Sequence, residues 1–151
     1  MKNQLSVVTV SVSIFFFLFA IESFAERGMG KGSGGWGMAS EYSRMYDVKT
    51  VETVKGEVVS VDEFSSRGMS PGVHAVLKTE KETIAVHLGP QWFMEKQDTE
   101  IKAKDAVEVK GSRITYEGKP AIIAAEVNKG DVVLKLRDEN GIPVWAGWRR
   151  R

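Results

Sequence analysis

The sequence predicts a mainly β domain: a five-stranded Greek-key barrel, a short helix between its third and fourth strands, and an extra C-terminal β segment. Three observations carry this expectation. From Val48 onward the chain runs in short stretches of alternating, β-branched residues. Turn-forming stretches separate those runs: SSRGMSPG (65–72), TYEGK (115–119) and ENG (139–141). A single helix-like interruption, GPQWFMEKQ (89–97), falls after the third run.

The chain opens with Lys2, an apolar run from Leu5 to Ile21, and small residues at Ser23 and Ala25. That is the pattern of an export signal over residues 1–25, cut after Ala25. An uncleaved anchor is the alternative, since the run approaches the length that spans a bilayer. Residues 26–47 follow as a glycine-rich flexible tail and a short helix. ERGMGKGSGGWG (26–37) holds six glycines, and MASEYSRMYD (38–47) can stack Tyr42, Met45 and Tyr46 on one side. Gly30, Gly32 and Gly35 match the spacing of a dinucleotide loop, but no strand precedes them, so they read as tail.

The barrel is expected over residues 48–137. In VKTVETVKGEVVSVDEF (48–64) the apolar phase slips, from Val54 and Val58 to Val59 and Val61, beside Gly56. A slipping period of two marks a bulged, bent strand serving two faces. GVHAVLKT (72–79) and ETIAVHL (82–88) are the second and third strands. The short helix carries Pro90 in its first turn and an apolar Trp92–Phe93–Met94 cluster to plug one barrel end. DAVEVKGSR (105–113) and KPAIIAAEV (119–127) are the fourth and fifth strands; VVLKLRD (132–138) and IPVWAGW (142–148) form a last short pair. Five strands with a helix between the third and fourth is the order of the OB-fold.

Composition narrows the function. The chain has no cysteine, which excludes disulfides, covalent CxxCH haem and thiolate metal sites. A net charge of +1 names no polyanionic partner. No nucleophile–base–orienter set is visible, and two histidines leave little for acid–base chemistry, so a non-enzyme is expected.

Those two histidines, His74 and His87, fall on the second and third strands. A turn around Glu80–Lys81 pairs Val76 with Ala85, Ala75 with Val86 and His74 with His87. Val73, Ala75, Leu77, Ile84, Val86 and Leu88 then face inward. His74, Val76, Lys78, Thr83, Ala85 and His87 face outward. Opposed side chains have Cβ atoms about 4.5–5.5 Å apart, close enough for two imidazoles to share an ion at about 2.0–2.1 Å per nitrogen for zinc. OB barrels bind ligands on this surface, between the loops joining strands one–two and four–five. Here those loops carry Arg67 and Met69 on one side, Tyr116 and Lys119 on the other. The candidate ligand residues are therefore His74, His87, Lys78, Arg67 and Tyr116. His74 and His87 are also candidate ligands of a divalent metal ion or haem. A plain solvated pair and an anion-binding or pH-sensing pair stay open beside that reading.

The C-terminal segment, 138–151, joins Trp145 and Trp148 to Arg149, Arg150 and Arg151. Trp145 is expected to be buried, whereas Trp148, Arg149, Arg150 and Arg151 are candidates for partner contact.

VKGEVVSVD (54–62), HLGPQWF (87–93) and EGKPAIIAAEV (117–127) resemble the small exported bacterial OB-fold (BOF) proteins. The chain through LRDENGIPVWAGW (136–148) also resembles uncharacterised periplasmic OB-like proteins, some labelled DNA-binding. The resemblance implies an OB barrel in the periplasm and brings no catalytic residues. The function expected is a periplasmic binding or adaptor module, with a ligand or metal on the outer face of strands two and three. The alternatives are an accessory of an envelope or respiratory complex, and a nucleic-acid-binding OB protein. An envelope protein or small ligand stands ahead of nucleic acid as partner, because export separates the chain from nucleic acid.

Overall fold

The computed structural model describes residues 34–38, 40–65 and 68–149, with side chains as far as Ala146. The expected export signal lies outside these residues, as do Arg67, Arg150 and Arg151. Among the described residues no helix is long and apolar enough to cross a membrane.

The strands are β1 (Val51–Phe64), β2 (Gly72–Lys78), β3 (Thr83–Pro90), β4 (Ala106–Tyr116), β5 (Lys119–Lys129) and β6 (Val132–Lys135). One short helix, α1 (Gln91–Met94), follows β3. Turns of 3-10 helix occur at Ser43–Met45, Val48–Thr50 and Val144–Arg149. The strands form a single sheet in the order β3-β2-β1-β4-β5-β6. Neighbours are antiparallel, and β3 additionally pairs with β5 in parallel, His87 lying opposite Ile123.

The mainly β expectation holds, but the sheet has six strands rather than five. β5 runs past Val127 to Lys129, and a turn through Gly130, at φ 58°, folds Val132–Lys135 back onto it. IPVWAGW is not a strand. Pro143 has no N–H to donate to a ladder, and the segment makes one bridge, Arg137 to Pro143, before turning into 3-10 helix.

β1 is bent as its phase slip suggests, and the slip sits at Val59. The register to β2 jumps between Val58 and Ser60, leaving Val59 as the extra residue and half exposed. The first half of β1 pairs with β4 and the second half with β2. Gly56 stands at the changeover. A Cβ there would lie 2.3 Å from the Lys78 carbonyl oxygen, so only glycine lets the strands cross this closely.

The core gathers Val58, Leu77, Val86, Leu88, Val109, Ile122 and Leu136 from five strands and the segment after β6. Phe93 of α1 is buried, with Trp92 and Met94 partly so against the same core.

The last part of the glycine-rich stretch is not a free tail. Trp36 is 1% exposed, donates from Nε1 to the Ser70 carbonyl at 3.0 Å, and meets Tyr42, Phe64 and Trp145 edge-on. A large aromatic among glycines has an apolar surface to lose and little backbone to obstruct its approach. Its burial outweighs the entropy that the glycines favour. Tyr42 is buried with it, and Tyr46 lies against the core while Met45 is exposed. Trp145 is buried as expected, its Nε1 donating to the Trp36 carbonyl at 3.1 Å and its ring 5.0 Å from Phe93.

Candidate functional site

The site begins with the β2–β3 turn. The Thr79 N–H and hydroxyl both donate to the Glu82 carbonyl, at 2.8 and 2.9 Å, and the hydroxyl accepts from the Lys81 and Glu82 N–H groups. This closure sets Lys78 opposite Thr83, and with it Val76 opposite Ala85, Ala75 opposite Val86 and His74 opposite His87. The cross-strand histidine pair is therefore real. Its ring centroids are 6.0 Å apart and its planes 24° from parallel. A register shift follows immediately, between Val73 and His74.

The inner face is as the alternation predicts, with Ala75, Leu77, Ile84, Val86 and Leu88 buried and Val73 half-buried. The outer face departs from expectation. Lys78 and Thr83 are exposed, but His74, Val76 and Ala85 are half-buried, and His87 is only 2% exposed. Three aromatic side chains from elsewhere cover it. Phe64, the last residue of β1, lies 5.4 Å from His74 and 4.7 Å from His87 between centroids. Tyr116, at the end of β4, meets His87 edge-on at 4.8 Å. Tyr42 stacks on His87 at 5.8 Å and 13°, and its hydroxyl is 2.9 Å from His87 Nδ1.

Burial, then His74, then the Arg137 guanidinium push the His87 pKa down to about 4, so its imidazole is neutral at pH 7. Burial holds the Tyr42 phenol well above its usual range. Arg137 is itself buried, which lowers its pKa. It donates to the Leu88 carbonyl at 3.3 Å and to the Ala124 carbonyl, with its guanidinium 5.0 Å from the Trp145 ring centre.

Beside the pair opens a cleft of about 300 Å³, lined by Phe64, His74, His87, Tyr116, Glu117 and Lys119 among others. Tyr116 and Lys119 pair directly across the two-residue turn Glu117–Gly118, whose φ values of 50° and 80° are those of a tight hairpin turn. The Tyr116 hydroxyl oxygen is buried, and among the described residues nothing hydrogen-bonds to it.

Of the candidate ligand residues, His74, His87 and Tyr116 meet in this cleft. Lys78 does not join them, since it stands at the turn end of the hairpin opposite Thr83. Arg67 lies outside the described residues, as do the side chains of Trp148, Arg149, Arg150 and Arg151. No group of three or more histidines and carboxylates is placed to hold a metal ion among the described residues. The sequence reading missed Tyr42, Phe64 and Arg137 as parts of the site. Tyr42 carried a signal, as an aromatic on a short amphipathic turn, but nothing in the sequence says which surface that turn covers.

A second cleft, about 380 Å³, lies between β1, β2 and α1, edged by Asp62, Glu63, Glu95 and Glu100 over apolar side chains. It gathers carboxylates of one sign, without the mix of imidazole, phenol and ammonium found beside His87.

No curated protein matches the sequence. The model of the MamS/MamX magnetosome protein family matches residues 50–134, which is more than half of the chain and takes in all but the first part of the cleft's surroundings. The chain belongs to the MamS/MamX magnetosome protein family.

Proposed function

We propose that the protein is an exported, non-catalytic binding module that serves the magnetosome named in its family's description and holds a small ligand in the cleft over His74 and His87. The single observation behind the reading is that the only two histidines meet there with Tyr116 and Lys119. A modest concave site with a few convergent polar groups on an apolar wall is the usual form of a small-molecule pocket.

The strands are proposed to close as an OB-like barrel. In support, the pairings run in a circuit from β1 to β2, β3, β5, β4 and back to β1. The cleft then falls on strands two and three beside the β4–β5 turn, where OB barrels bind. Export favours a small ligand or envelope component over nucleic acid as the partner. The non-catalytic part is supported by the surroundings of His87, whose nitrogen partner is a buried phenol and not a nucleophile or an orienting carboxylate.

The test is a histidine-detected NMR titration of the full chain with Zn²⁺, Ni²⁺, inorganic phosphate, benzoate and citrate. At least one should move the His74 and His87 resonances saturably and lose that effect in His74→Ala. If none moves them, the cleft is not the ligand site.

A further inference from the structure

The hydrogen bond between Tyr42 and His87 decides what the cleft offers a ligand. The Tyr42 hydroxyl is buried, and among the described residues its hydrogen-bond partner is His87 Nδ1 alone, at 2.9 Å. A phenol has one proton to place. Were Nδ1 to donate, the phenol proton would be left in the interior without an acceptor, which buried polar groups avoid. The pair is satisfied when Tyr42 donates and Nδ1 accepts. In a neutral imidazole the ring proton then sits on Nε2. Tyr42 lines the neighbouring cleft and not this one, so Nδ1 is turned to the tyrosine and Nε2–H is the group left for the histidine cleft.

We infer that the cleft recognises a small oxyanion, a carboxylate or phosphate, and not a metal ion. The inference rests on the cleft being the ligand site, as proposed above. A metal needs a lone pair on the nitrogen that faces it, and a metal-bound histidine needs an acceptor for its other N–H. Here the free nitrogen carries the proton, and the other is held by a hydroxyl whose own proton has no second acceptor among the described residues. The remaining polar groups agree. The Tyr116 hydroxyl has a proton to give and no partner among the described residues, and Lys119 brings a cation to the rim. Among the described residues Glu117 is the one carboxylate lining the cleft, two residues from Lys119. Phe64 and Ala85 supply apolar wall, which suits an oxyanion carried on a planar group.

The experiment uses the full chain, uniformly ¹⁵N-labelled, at pH 7, with benzoate, inorganic phosphate and Zn²⁺ as probes. The free protein should show His87 as the Nε2–H tautomer. Benzoate or phosphate should shift the His87 and His74 ring signals saturably with that tautomer kept, and Lys119→Ala should weaken the binding about tenfold, as for a lost charge-assisted hydrogen bond. Zn²⁺ should leave the His87 ring unchanged. An Nδ1–H tautomer in the free protein, or undiminished anion binding in Lys119→Ala, would overturn the inference. Displacement of the Nε2 proton by Zn²⁺ with no response to either anion would also overturn it, while leaving the cleft a binding site for metal. Silence of both histidines toward all three probes would remove the anion site and the cleft's binding role together.

Discussion

The hydroxyl of Tyr42 and Nδ1 of His87 stand 2.9 Å apart, 45 residues separated in sequence and both buried. One belongs to a segment before the sheet, the other to its third strand. Their bond ties the N-terminal segment to the outer face of the β2–β3 hairpin and sets the protonation of the site at once.

Removing that hydroxyl should have two separable effects. Tyr42→Phe keeps the stacked ring but leaves Nδ1 buried without its donor, which should cost about 1–3 kcal/mol in urea unfolding. It also removes the reason for one tautomer, so the His87 ¹⁵N shifts should move from Nε2–H toward a mixture. A stable variant with the tautomer unchanged would mean that something other than Tyr42 sets the proton.

The depressed pKa of His87 makes stability depend on pH. Its folded value is about 4 against 6.5 for the ordinary group, so between these values the unfolded chain binds the extra proton. Stability should be full above pH 6.5 and fall as pH drops toward 4, by an amount on the order of 3 kcal/mol. Urea midpoints of wild type and His87→Asn, taken at pH 7, 5.5 and 4.5, isolate this share. The wild-type curve should fall more steeply, and parallel curves would show that His87 does not govern the slope.

The register of the histidine pair was legible because the hairpin has a strict alternation and a short turn, so shifting it by one residue would turn the whole apolar set outward. β1's bend was legible for a related reason: a phase slip must be absorbed by an extra residue, here Val59. The burial of His87 was not legible. It depends on Tyr42, packed against Trp36, returning over the hairpin beside Phe64 and Tyr116, and a glycine-rich stretch gives no local sign of where its aromatics will land. β6 was half read, since its valines mark a strand, but Pro143 and the following 3-10 turn show that the next apolar run has no ladder to join. Arg137 gave no sequence signal at all, because a buried arginine held by two carbonyls looks the same in sequence as a solvated one.

The alternation itself can be tested by substitution. Leu77 and Ile84 face each other on the inner side and are 1% and 3% exposed, whereas Lys78 is exposed next to them. Leu77→Ala or Ile84→Ala should cost about 2–5 kcal/mol through the cavity left behind. Lys78→Ala should stay within about 0.5 kcal/mol. Comparable losses at all three positions in urea melts would mean that the two faces are not distinct.

Gly72 tests whether Trp36 holds the N-terminal segment in place. A Cβ at Gly72 would lie 2.3 Å from Trp36 Cζ2, 2.6 Å from Cη2 and 2.8 Å from Phe64 Cε1. The Trp36 ring is held where it stands, since Nε1 donates to the Ser70 carbonyl and the Trp36 carbonyl accepts from the Trp145 indole. Gly72→Ala should therefore dislodge Trp36 and cost about 1–3 kcal/mol, the range for a methyl forced into a filled core. The loss should be felt first in the segment that Trp36 anchors. Trypsin should cut after Arg44, in the turn beside Tyr42, faster in Gly72→Ala than in wild type, while Val133→Ala, on an exposed position of β6, should cut as wild type does. Faster cleavage should be accompanied by a rise in the His87 pKa, because uncovering the ring restores water to its charged form. If Gly72→Ala leaves both the cleavage rate and the His87 titration unchanged, Trp36 is not what keeps Tyr42 over the histidine.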